Sequence, residues 1–179
     1  MDYRIIEKKL QILRGMATER SFPVTGWQAR TADNPAAGKY VFDGPWRNTA
    51  LPAEFPAGKT VFLRAAMTVP SSVRLQDTFL SVAMNDMEGL LSLDGRPHAG
   101  IDWGHPRTPV PGKGRFQVGL EFMSVPSVYW TPELASRRSS FSGASVVVVD
   151  REIDALYFDV RFAWETAGVI TDPRRKPLL

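Results

Sequence analysis

From Phe22 to Val149 the chain is written in short runs rich in Val, Phe, Leu and Thr, with Pro and Gly interrupting each run before it reaches helical length. Such runs bury their apolar sides only by pairing edge to edge and stacking face to face, so this texture predicts a mainly β protein: an antiparallel β-sandwich of the jelly-roll type. Candidate strands lie at 38–42, 60–69, 78–84, 89–93, 115–122 and 144–150. Asp94-Gly95 predicts a hairpin, because Gly accepts the positive φ that a tight turn requires. Pro70, Pro97, Pro106, Pro109 and Pro111 are expected in the connections, outside the sheets.

The period changes at both ends. Tyr3, Ile6, Leu10 and Leu13 recur at steps of three and four, predicting an amphipathic helix that Gly15 ends. After Asp150, a natural N-cap, the residues Ile153, Leu156, Tyr157, Val160, Trp164 and Ala167 trace a second helical stripe. A strand over 155–163 is the competing reading, outweighed by six matches to helical spacing. The expected organisation is a leading helix and linker at 1–20, a sandwich domain at 21–150 and a helical segment at 151–179. Asp172-Pro173 has the form of another helix start, followed by Arg174, Arg175 and Lys176. We therefore expect the chain to lead on toward a further domain.

An apolar content of 44% over 179 residues is enough for a real core. The charges, 22 Lys and Arg against 19 Asp and Glu, are scattered, so no basic stripe points to nucleic acid. No apolar run approaches the ~20 residues that span a bilayer, and the charged first turns do not form a signal peptide. Zero cysteines exclude disulfides and thiolate metal sites. These features together predict a cytoplasmic protein without membrane partners.

Catalytic chemistry is not evident in the residues. Asp94 is explained by its turn and Asp150 by its cap, so neither is expected in the carboxylate pair of a glycosidase. A zinc site would have to draw on His98, Asp102 and His105, without a Cys or a helical His pair, and no metal site is expected. Gly112-Lys113-Gly114 is too short for a phosphate loop, and Phe141-Ser142-Gly143 lacks the first glycine of a nucleophile elbow. The residues that suit a ligand fall in loop-like sequence. Trp103, Tyr129 and Trp130 could stack on a sugar ring, with Asp102, His105 and Arg107 supplying polar contacts. Aromatics of this size equally serve as core or domain-interface residues, and Trp27, Trp46 and Trp164 are expected to pack.

The stretch Gly89-Leu-Leu-Ser-Leu-Asp-Gly-Arg-Pro-His-Ala-Gly-Ile-Asp-Trp-Gly-His105 resembles the N-terminal β-sandwich region of the class II α-mannosidases, glycoside hydrolase family 38. Gly26-Trp27, the strand running to Val69-Pro70, Gly100-Ile-Asp102-Trp-Gly-His105 and Val146-Val-Val-Val-Asp150 leading to Ala155-Leu-Tyr-Phe-Asp159 follow the order of that family's motifs. The resemblance covers nearly the whole chain. It implies a galactose-binding-like sandwich that precedes a zinc-dependent, retaining catalytic barrel carried elsewhere in the parent polypeptide. The chain itself would be catalytically silent and would hold no cofactor. Its expected partner is that catalytic domain, which the Asp102–Arg107 loop would border. The alternative is an independent carbohydrate-binding module for mannose-containing glycans. An uncovered face of the second helix would also allow self-association.

Overall fold

The computed structural model describes residues 3–36, 38–56, 58–102, 104–124 and 139–169. They divide into two compact units, Phe22–Val146 and a unit made of Met1–Ser21 with Val147–Leu179.

The larger unit is mainly β. Its strands are β1 (Thr18–Val24), β2 (Gln28–Ala36), β3 (Lys39–Phe42), β4 (Arg47–Asn48), β5 (Ala53–Phe55), β6 (Thr60–Val69), β7 (Thr78–Asn85), β8 (Met87–Leu93), β9 (Arg96–Ile101), β10 (Arg107–Pro109), β11 (Gly114–Ser124) and β12 (Ser139–Val149), with β1 and β12 running past the unit's limits. One sheet runs β1-β12-β7-β10, with β5 beside β12; the other runs β3-β2-β6-β11-β8-β9, with β4 beside β2. The pairings between consecutive neighbours of the second sheet are antiparallel.

Strand β6 shows how sequence sets the faces. Val61, Leu63, Ala65, Met67 and Val69 are buried, while Phe62, Arg64, Ala66 and Thr68 alternate with them on the other side. Val118, Leu120 and Phe122 of β11 continue the buried side, and Leu80, Val82 and Phe141 are buried from the other sheet. Trp27 joins this core. Its ring meets Phe141 edge-on at 4.8 Å, and its indole N–H donates to the Val24 carbonyl at 2.8 Å, so the one polar atom of a buried Trp is satisfied.

Asp94-Gly95 makes the expected hairpin between β8 and β9, with φ of 51° and 76°. Two of the proline expectations are corrected. Pro97 lies inside β9 and Pro109 inside β10, and both strands end their sheets, where a missing N–H costs no ladder bond. Pro97 also sits where the β8–β9 register shifts.

The smaller unit contains α1 (Tyr3–Met16) and α2 (Arg151–Val169), which pack on each other. Asp150 caps α2 as expected: its Oδ1 accepts the N–H groups of Glu152 at 2.9 Å and Ile153 at 3.1 Å. The competing strand over 155–163 is not formed. Leu10 and Tyr157 are buried, and Ile6, Leu13, Ile153 and Trp164 half-buried. Leu156 and Val160, read as part of the inward stripe, are instead exposed, and Phe162 is 73% exposed. On α1 a second apolar line, Ile5, Ile12 and Met16 at i, i+7 and i+11, is exposed as well. Among the described residues no helix is long and apolar enough to cross a membrane.

Candidate functional site

The segment from Asp102 to Arg107 crosses from one sheet to the other. It leaves β9 at the buried Ile101 and enters β10, where Arg107 stands opposite Ser81 of β7. Asp102 organises the crossing. Its Oδ1 accepts the N–H groups of Gly104 and His105, each at 2.6 Å, and the ring Nδ1 of His105 lies 3.0 Å from Oδ2 and 3.1 Å from Oδ1. That geometry assigns the Nδ1 proton as the donor. The imidazole itself is exposed, so its other nitrogen faces solvent chemistry rather than a core.

The structure thus brings Asp102 and His105 together and gives Asp102 a turn-forming role. Arg107 lies half-buried at the start of β10, its guanidinium carbon 5.9 Å from the Phe79 ring centre. Trp103, Tyr129 and Trp130 lie outside the described residues. His98 turns Nε2 toward the Pro109 carbonyl at 2.9 Å, a contact between β9 and β10. Among the described residues no three His, Cys, Asp or Glu side chains are grouped as metal ligands.

The Asp102 carboxyl is held below its ordinary value, first by the His105 side-chain hydrogen bond and then by the backbone N–H groups of His105 and Gly104, with partial burial opposing them. A folded-state pKa below the unfolded one means that Asp102 adds stability above the unfolded value of about 4, lost as pH falls through the lower folded value. Carboxyl-carbon NMR should therefore give Asp102 a midpoint below 3.8, with the Gly104 and His105 amide signals moving in step. A midpoint at or above 3.8 would remove the turn-forming role.

A cleft of about 700 Å³ lies elsewhere, bordered by Trp27, Asn48, Leu51, Ser81, Ala83 and Ser142 among others. Its lining has no titratable side chain, so proton transfer by the wall has no agent there.

A third constellation was not singled out in the sequence. On the side of the seven-stranded sheet away from the core, Arg30 lies over Phe42 at 3.6 Å and over Trp46 at 4.5 Å, and Arg64 lies over Trp46 at 4.3 Å. Phe62 packs against Tyr40 and Phe42 at 5.0 and 5.3 Å, and the Tyr40 hydroxyl donates to the Glu121 carboxylate. Trp46 therefore packs, as expected, but against cations. The available signal was the strict alternation of β6, which places Phe62 and Arg64 on the face away from the core.

Compared with protein-family models and with curated proteins, the chain matches none.

Proposed function

We propose that this chain is a non-catalytic structural and docking module. In this reading it is a galactose-binding-like β-sandwich with a helical pair that braces the catalytic domain of an α-mannosidase-like glycoside hydrolase and borders its active site. The observation that carries it is the helical pair itself. A helix with apolar residues on more than one side needs more than one apolar neighbour. Helix α2 buries Tyr157 yet exposes Leu156, Val160 and Phe162, while α1 exposes Ile5, Ile12 and Met16. Large apolar side chains gathered on one small unit are the usual mark of a surface made to be covered.

The motif order from Gly26-Trp27 to Asp159 supports a glycoside-hydrolase parent, and the Asp102–His105 turn supports a border role. A polar, partly exposed loop suits the rim of another domain's site. The zinc of such an enzyme would belong to the catalytic domain. In this chain His98 and Asp102 already direct their polar atoms at the Pro109 carbonyl and at their own loop.

A mannose-binding module would give a different result in solution. Methyl α-mannoside and mannobiose, titrated into the chain, should leave the melting temperature and Trp fluorescence unchanged. A ligand that binds only the folded state raises apparent stability, so a saturable upward shift would replace the docking reading with the carbohydrate-binding one.

A further inference from the structure

We propose that the cleft beside Arg64, on the outer face of the seven-stranded sheet, binds the carboxylate or phosphate group of a small molecule. The cleft has a volume of about 460 Å³ and is lined by Gly26, Gln28, Arg64, Ala65, Ala66 and Gln117. That is monosaccharide size, and Arg64 is the one charged group in its wall.

Arg64 is fixed in place by other side chains. Its Nε donates to Gln28 Oε1 at 2.9 Å, and Gln28 Nε2 donates in turn to Asn48 Oδ1 at 3.1 Å. Its guanidinium carbon further lies over Trp46, 4.3 Å from the ring centre. Bonding through Nε leaves the two terminal NH2 groups as the presented edge, the fork that matches two oxygens of a carboxylate or phosphate. A solvated surface arginine loses rotamer freedom by such an arrangement; a binding arginine gains affinity from it, because the ordering cost is met before the ligand arrives. Gln117 donates Nε2 to the Ala65 carbonyl at 3.1 Å and so closes the cleft with a positioned amide.

The nearby carboxylates have partners of their own: Glu121 accepts from the Tyr40 hydroxyl, and Asp33 and Asp43 share Lys59. Among the described residues neither Arg30 nor Arg64 pairs with a carboxylate. Arg30 shares Trp46 with Arg64, and its buried Nε has no hydrogen-bond partner. Two guanidinium groups around one indole, neither held in an ion pair, leave the Arg64 fork open to an oxyanion. A neutral sugar fits less well, because both arginines already lie over the Trp46 ring that would be its stacking platform.

The test is a ¹H–¹⁵N NMR titration read at Arg64 Nε–H and the Trp46 indole N–H. The probes are inorganic phosphate, glucose 6-phosphate and glucuronate, with mannose as the neutral control. We expect saturable shifts with at least one charged probe, weakening as NaCl is raised. Arg64→Gln should abolish them, and Arg64→Lys, which keeps the charge but loses the fork, should weaken binding at least about tenfold. Saturation by phosphate and glucose 6-phosphate alone identifies a phosphoryl ligand, and by glucuronate alone a carboxylate. Non-saturating shifts with every charged probe, equal affinity in Arg64→Gln, or equal saturation by mannose would overturn the proposal. The Trp27 indole signal, buried in the core, reports that each variant is folded.

Discussion

Gly89→Ala is expected to destabilise the larger unit so severely that little folded protein survives moderate denaturant. Gly89 of β8 stands opposite Phe122 of β11, and β11 is the interior strand joining β6 to β8. A Cβ at Gly89 would overlap the Glu121 carbonyl oxygen and come within 2.8 Å of the Phe122 Cα. The obstacle is backbone, so no rotamer change relieves it. The strands would have to part, exposing a ladder and loosening the packing of Phe122, which is fully buried. Overpacking typically costs about 1–3 kcal/mol, and an overlap with backbone lies at the upper end of that range, against a total stability of about 5–15 kcal/mol. Gly100→Ala is the matched control, since Gly100 sits opposite Leu90 on the edge strand β9 with open space where its Cβ would go. Urea melts should place Gly89→Ala far below both the native chain and Gly100→Ala. Coincident midpoints for the two variants would refute the close approach of β8 and β11.

The fold was legible where burial and periodicity agree. Strand β6 reads correctly from end to end because every second residue is apolar and no proline interrupts it. Strand β12 reads only from its Val-rich half, since Ser139–Gly143 carries little apolar signal and draws its pairing from β5. Strands β9 and β10 contain Pro97 and Pro109, and their local sequence reads as connections. Their edge positions are a property of the sheet, which no local window records. Strand β2, with Asp33, Asn34 and Pro35, looks like a turn, yet it lies between β3 and β6 and is held through Ala29, Thr31 and Ala32. Long-range pairing overrides local preference in such segments.

The candidate site was legible to a lesser degree. Spacing alone placed Asp102 and His105 on one loop, and the structure adds that the carboxylate folds that loop, a role that an Asp followed two residues later by Gly commonly takes. The cluster around Trp46 escaped because its members come from positions 28–30, 40–48 and 62–64. They meet only through the pairing of β2 with β3, β4 and β6. An isolated Arg in a strand reads as surface charge, and nothing in sequence tells that its guanidinium lies over an indole.

The helices show the same limit with a functional consequence. Helical spacing drew one inward stripe through Ile153, Leu156, Tyr157, Val160, Trp164 and Ala167; Tyr157 is buried and Ile153, Trp164 and Ala167 half-buried, whereas Leu156 and Val160 are exposed. A replacement of Ile12 and Phe162 by Glu adds charge at two exposed positions and keeps good helix formers there, so the helices should persist. Its effect should fall on association. On the docking account, the apolar faces of α1 and α2 in the isolated chain can meet another copy of it, and burying even a few such side chains is worth about 1.5–3 kcal/mol each. The most direct test of the docking account is therefore sedimentation velocity over a concentration series. The account predicts reversible, concentration-dependent association of the native chain that Ile12→Glu with Phe162→Glu abolishes while the melting temperature holds. A native chain that sediments as a strict monomer at the highest concentrations would contradict it.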